Sequence, residues 1–180
     1  TQPSIEPVSQ VEMGNQLNLR HGYEIDKGND VISCSRERVE SDLDISLISQ
    51  TWTMHLDGFK DVIYLPKGKV QSITSFTYTD TAGDSQTLVA DTDYYLSSIG
   101  DEARLIPLTS FPSTHATKKE TVQIVWVSGF GANASDVPSW AKEAIKTTGT
   151  MLYDLGKDMS FVYDCLTKKH RLYFDYSKNG

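Results

Sequence analysis

Three observations predict an α+β fold: a small helical bundle, with two N-terminal helices and one or two C-terminal ones, interrupted by an inserted antiparallel β module. Composition changes near Leu47, and from there to Val127 the chain is rich in Thr, Val, Ile, Tyr and Phe, the residues that suit a pleated, half-buried surface. Helix-start signals flank that block on both sides. The run Val122–Ile145, VQIVWVSGFGANASDVPSWAKEAI, passes from a strand through a glycine turn into a capped helix.

Residues 1–8 read as an extended arm. Ser9-Gln10-Val11-Glu12 matches a capping box, with Val8 and Met13 placed as a hydrophobic staple. The first helix is expected over 9–18, Met13 and Leu17 facing inward, with Gly14 and Asn15 weakening it. The second is expected from Asp26 to Asp42. Val31, Ile32, Ser35, Val39 and Leu43 form its apolar stripe, and Arg36, Glu37, Arg38 and Glu40 form a polar face. That charged run reads as a solvated surface, or as a subunit contact with the same appearance.

Strands are expected at 49–56, 61–65, 70–79, 86–88, 93–97, 103–106 and 121–128. Asp80-Thr81-Ala82-Gly83-Asp84 is a hairpin turn. Residues 109–119 form a loop. Alternation of Val122, Ile124 and Trp126 with Gln123, Val125 and Val127 predicts a largely buried strand. Gly129 and Gly131 end it. Asp136-Val137-Pro138 starts the third helix with proline at its first position, and Ala141, Ala144, Ile145, Thr148, Leu152 and Leu155 follow at helical spacing. Gly149 is expected to interrupt that helix. Residues 160–168 suit a last short helix and Leu172–Tyr176 an extended aromatic tail. The expected division is 1–46 for arm and helices, 47–128 for the β module, 129–158 for the helix completing the bundle, and 159–180 for a docking tail.

Length and charge exclude several function classes. The chain has 180 residues, 38% hydrophobic, with a net charge of −7. That balance argues against a protein built to grip nucleic-acid phosphates, while an acidic lining would let DNA slide past. No run reaches the length of a membrane span, and the opening TQPSIEPVSQ lacks the pattern of a signal peptide. Cys34 and Cys165 are too far apart for a disulfide framework or zinc motif and read as reduced thiols.

No catalytic constellation emerges, and no cofactor is expected. His21, His55, His115 and His170 make no ligand pair. Gly129-Phe130-Gly131 is half a nucleotide fingerprint. Between Val70 and Ala103 there is no Lys or Arg, yet Asp80, Asp84, Asp91, Asp93, Asp101 and Glu102 fall on that tract or beside it. Asp80 and Asp84 belong to the turn. Asp91, Asp93, Asp101 and Glu102 are candidates for a negative surface facing DNA or a basic partner. Lys168, Lys169, His170 and Arg171 make a basic cluster before Tyr173, Phe174 and Tyr176, a combination that suits a docking segment.

The order of several short motifs is similar to a known family. These are Glu6-Pro7-Val8-Ser9-Gln10-Val11-Glu12, Arg36-Glu37-Arg38-Val39-Glu40, Leu47-Ile48-Ser49-Gln50-Thr51-Trp52, Leu56-Asp57-Gly58-Phe59, Leu65-Pro66, Val70-Gln71-Ser72-Ile73, Tyr78 and Val122–Pro138. Together they resemble the head-tail connector (adaptor) proteins of tailed phages and gene-transfer-agent relatives, over residues 5–155. The resemblance implies a non-enzymatic virion protein, assembled in the host cytoplasm without a membrane. It implies a ring, commonly of twelve copies, between a portal protein and a tail-side connector (stopper or tail terminator), with double-stranded DNA passing through. On that reading Arg36, Arg38 and Glu40, or the facing part of the third helix, contact a neighbouring copy. Two other readings are a carbohydrate- or protein-binding tail or baseplate module with a groove lined by Trp52, Tyr94 or Tyr95, and a small hydrolase using Asp91 and Asp93, which would share one strand face.

Overall fold

The computed structural model describes residues 3–18, 22–99 and 102–155. Helix α1 (Gln10–Leu17) begins at the predicted capping box: Glu12 N donates to Ser9 Oγ at 3.2 Å, and Ser9 N donates to Glu12 Oε2 at 2.8 Å. Those bonds hold the Glu12 carboxyl below its usual range, the backbone bond from Ser9 foremost. Val8 and Met13 are both buried, as a staple requires. Asn18, at φ 53°, closes the helix in the left-handed region.

Helix α2 (Gly22–Asp42) begins four residues before the expected Asp26. It therefore carries Gly28 in its interior, at a cost of about 1 kcal/mol relative to Ala. Its stripe of Val31, Ile32, Ser35 and Val39 is buried, but Leu43 lies past the helix end and is exposed. Cys34 on α2 is half-buried, whereas Cys165 lies outside the described residues. Helix α3 (Ser139–Leu155) follows a short 3-10 turn at Ala134–Asp136. Lys142 N donates to Pro138 O at 3.2 Å, so the proline caps α3 from one position earlier than expected. The three helices pack together around Met13, Ile32, Leu47, Val137, Ala141 and Ile145.

Gly149 does not interrupt α3. The helix runs through it, because this is where α3 receives Met13. A Cβ at Gly149 would lie 2.7 Å from Met13 Cε, 2.9 Å from Met13 Sδ and 3.2 Å from Ser35 Oγ. Alanine gains about 1 kcal/mol in helix propensity, while overpacking costs about 1–3 kcal/mol. Gly149→Ala is therefore expected to lower stability by about 1 kcal/mol, read as a lower urea midpoint at unchanged slope. A rise in the midpoint would show that Met13 yields without cost.

All seven strands form: β1 (Gln50–Leu56), β2 (Ile63–Leu65), β3 (Val70–Thr79), β4 (Ser85–Thr87), β5 (Tyr94–Ile99), β6 (Glu102–Pro107) and β7 (Val122–Ser128). They make two antiparallel sheets, β1-β7-β3-β4 and β2-β6-β5. A second core joins them, built from Phe76, Ile124 and Trp126 of one sheet and Ile63, Tyr94 and Leu105 of the other. Phe59, from the loop after β1, stacks on Phe111 at 4.7 Å and meets Phe76 edge-on at 5.9 Å. The β3–β4 turn is held by Asp80, whose Oδ1 accepts from the amides of Ala82, Gly83 and Asp84 at 2.9, 3.0 and 3.0 Å. A bond from Gln86 Nε2 and these amides keep its carboxyl below the usual range.

The chain enters and leaves the β block side by side. Ser49 N donates to Gly131 O at 2.8 Å, and Phe130 N donates to Leu47 O at 3.2 Å. Lys69 joins the same crossing, accepting from Gly129 N at 3.0 Å. This hydrogen-bonded neck explains how about eighty intervening residues leave the helical core undisturbed, since the block's two ends meet at one point.

Candidate assembly surface

The charged run on α2 is not a uniformly solvated face. Arg36 is 2% exposed and Glu40 9%. Arg36 Nε donates to Glu6 Oε2 at 2.8 Å, and Nη1 donates to Glu40 Oε2 at 2.8 Å. Glu40 Oε1 in turn accepts from Leu47 N at 2.8 Å and from Gln50 Nε2 at 3.2 Å. One arginine thus ties together the N-terminal arm, α2 and the start of the β block. Burial works against its charge, but the bonds and charges of Glu6 and Glu40 outweigh that and raise its pKa. The solvated-face expectation is thereby corrected for Arg36 and Glu40: they face Glu6 and Leu47 within their own subunit. Arg38 remains at the surface, with Nε 2.7 Å from Asp42 Oδ2.

The acidic tract is dispersed. Asp91 and Asp93 sit in the turn before β5, not on a strand face. Asp93 Oδ2 accepts from Val89 N at 2.7 Å. The Tyr94 phenol is pushed up by burial first, then by the charges of Asp91 and Asp93. Glu102 is exposed at the start of β6. Asp101, Lys168, Lys169, Arg171, Tyr173, Phe174 and Tyr176 lie outside the described residues.

The aromatic groove of the binding-module reading does not form from its named residues. Tyr94 is buried in the core. Trp52 is half-buried, donating its indole N–H to Ser46 Oγ at 2.9 Å, with Lys67 Nζ 5.6 Å from its ring centre. Tyr95 belongs to the other sheet. A cleft of about 360 Å³ beside Trp52 is lined by Arg36, Glu37, Glu40, Gln50 and Lys67, the flank of the buried ion network.

The two outward sheet faces differ. On the first sheet, register puts Thr51, Thr53 and His55 beside Val127, Val125 and Gln123, with Ser72, Ser75 and Thr77 beyond. On the second, Tyr64 lies opposite Arg104, and Ile106 opposite Tyr95. Tyr64 and Tyr95 are 59% and 40% exposed, and Leu108 just past β6 is 52% exposed. Arg104 has a buried Nε with no hydrogen-bond partner among the described residues. Reading the sequence missed this patch, because β2 is only three residues long and its pairing with β6 spans forty positions. The period-two placement of Arg104, Ile106 and Leu108 was the available signal.

Among the described residues no three His, Cys, Asp or Glu side chains gather as a metal site. No described helix is long and apolar enough to cross a membrane. No family model and no curated protein matches the chain. Solved structures do.

The fold is that of gene transfer agent neck chains. A chain from the neck of an empty gene transfer agent particle, computed with C6 symmetry, superposes with TM-score 0.69 at 20% identity, over 88% of this chain and 89% of that one. A chain from the virion of a native gene transfer agent particle gives TM-score 0.70 at 21% identity, over 91% of each. A third, from the native particle neck computed with C12 symmetry, gives 0.63 at 18%, over 86% of each.

Proposed function

We propose that this protein is a head-tail connector of the adaptor type, one subunit of a ring in the neck of a tailed phage or phage-like particle. The observation that supports the reading is the near end-to-end likeness to chains from gene transfer agent necks, with 88% of this chain and 89% of the other covered in one case and 86% of each in another. Coverage on that scale includes the inserted β block, the least generic part of the fold. The ring, of twelve copies, sits between a portal protein and a tail-side stopper or tail terminator, and DNA passes through without sequence-specific contact. The role is structural, not enzymatic, and belongs to the finished virion.

The division at Leu47 and Ser128 then separates ring wall from platform: the helical core builds the wall, the β block widens the contact surface. Contacts between copies are heterologous, front to back, closing by rotation. Arg38 on the surface of α2 is the cation left for such a contact, and Asp91, Asp93, Asp101 and Glu102 remain channel-side candidates. Mixed with portal protein, the purified chain is expected to co-elute as a ring-sized complex, and Arg38→Glu to weaken self-association several-fold at low salt with little change at high salt. A chain that stays monomeric and ignores portal under all salt conditions would overturn the reading.

A further inference from the structure

The β sandwich turns one hydroxyl-rich face outward and one face of a different kind. The second sheet's outer face carries Tyr64, Tyr95, Ile106 and Leu108 around Arg104. Tyrosine and arginine within an exposed apolar patch is the composition of an interface core. Among the described residues Arg104 has no ion pair, and its Nε is buried without an acceptor. Desolvation without compensation is unfavourable. The patch fits a partner that brings a carboxylate set between aromatic side chains.

The chain itself carries such a segment. Leu172-Tyr173-Phe174-Asp175-Tyr176 has one carboxylate between two aromatics, and Lys168, Lys169 and Arg171 precede it. We propose that residues 168–176 of one copy lie across the outer face of the β2-β6-β5 sheet of a neighbouring copy, with Asp175 on Arg104 and Arg171 at the Asp93 end. The spacings agree. From Arg104 to Leu108 is four residues, about 13 Å at strand rise, and Leu108 N donates to Asp93 O at 3.0 Å. From Asp175 back to Arg171 is also four residues, about 13 Å when extended. A segment running antiparallel to β6 thus sets its carboxylate on the arginine and its cations beside Asp91 and Asp93. Tyr173, on the same side of the extended segment as Asp175 and Arg171, then covers Ile106 and Tyr95. Asp175 lies twenty positions beyond Leu155, a reach of up to about 66 Å, against roughly 30 Å for twice the radius of gyration of a chain this size.

This contact deepens the ring reading and rests on it only for the neighbouring copy. The test is a fluorescent peptide of residues 165–180 titrated into the full chain. Saturable binding is expected, weakened at least about tenfold by Arg104→Glu and also weakened by Tyr64→Ala. A peptide carrying Asp175→Arg should recover affinity for the Arg104→Glu protein, which also shows that this variant is folded. In parallel, a photo-crosslinker at position 64 in nitrogen-15-labelled full chain, mixed with unlabelled chain, should capture residues 169–180 in mixed-isotope products. Failure to saturate, equal affinity for Arg104→Glu, or cross-links confined to one chain would overturn the proposal. Neither assay contains portal or particle, so their failure leaves the neck reading standing, and loss of the neck reading leaves a positive titration intact.

Discussion

Arg36→Met is expected to lower unfolding free energy by about 3–5 kcal/mol, the cost of removing one partner from a buried ion network. The substitution keeps most of the side-chain volume, so packing is not the main loss. Glu6 and Glu40 are left facing each other without the cation that both bind at 2.8 Å. Arg36→Lys should recover only part of the loss, because an ammonium cannot reproduce the guanidinium fork that reaches two carboxylates on separate segments. Replacing Glu6, Arg36 and Glu40 together by apolar residues should cost less than Arg36→Met alone. Urea unfolding followed by circular dichroism reads all three. Because the arginine pKa is raised, its contribution is complete below the ordinary arginine pKa and would be lost only as pH rises through the higher folded value, far above the working range. If Arg36→Met shifts stability by less than about 1 kcal/mol, the range of exposed pairs, the network is not what joins arm, helix and β block.

Gly129→Ala is expected to be comparably damaging for a different reason. Gly129 has φ +143°, and a Cβ there would lie 2.6 Å from Ser49 N and 2.7 Å from both C and O of Ile48. These are backbone atoms of the neighbouring pass of chain, so no side chain can turn aside. Backbone strain of about 1–3 kcal/mol adds to overpacking of about 1–3 kcal/mol. The expected loss is thus of the order of 2–6 kcal/mol. Amide hydrogen exchange should show it first at Ser49 and Phe130, whose bonds to Gly131 and Leu47 close the neck of the β block. Normal protection at those amides with unchanged stability would mean that the two passes can separate freely.

Much of the candidate site was out of reach of the sequence because its parts are remote in the chain. Arg36 stands four positions after Ile32 and three before Val39, on the buried side of α2, but Glu6, which lets its charge be buried, is thirty positions away. Leu43 shows the converse: it continues the apolar stripe in sequence, but α2 ends at Asp42 and the residue turns to solvent.

Local chemistry by itself determined the elements. A hydroxyl and a carboxylate three positions apart cap α1, an aspartate closes the β3–β4 turn on the amides of the next residues, and the β-branched and aromatic run Val122–Val127 forms β7, which buries every second residue. Each of these acts within a few residues, where sequence neighbours are spatial neighbours. Only the tertiary structure decided the rest. It turned Arg36 inward onto Glu6, made Gly149 the seat of Met13 rather than a break, and set Tyr64 and Arg104 on one face. Those outcomes depend on which distant surfaces meet, and the same residue types are compatible with burial or exposure until the partner surface is in place.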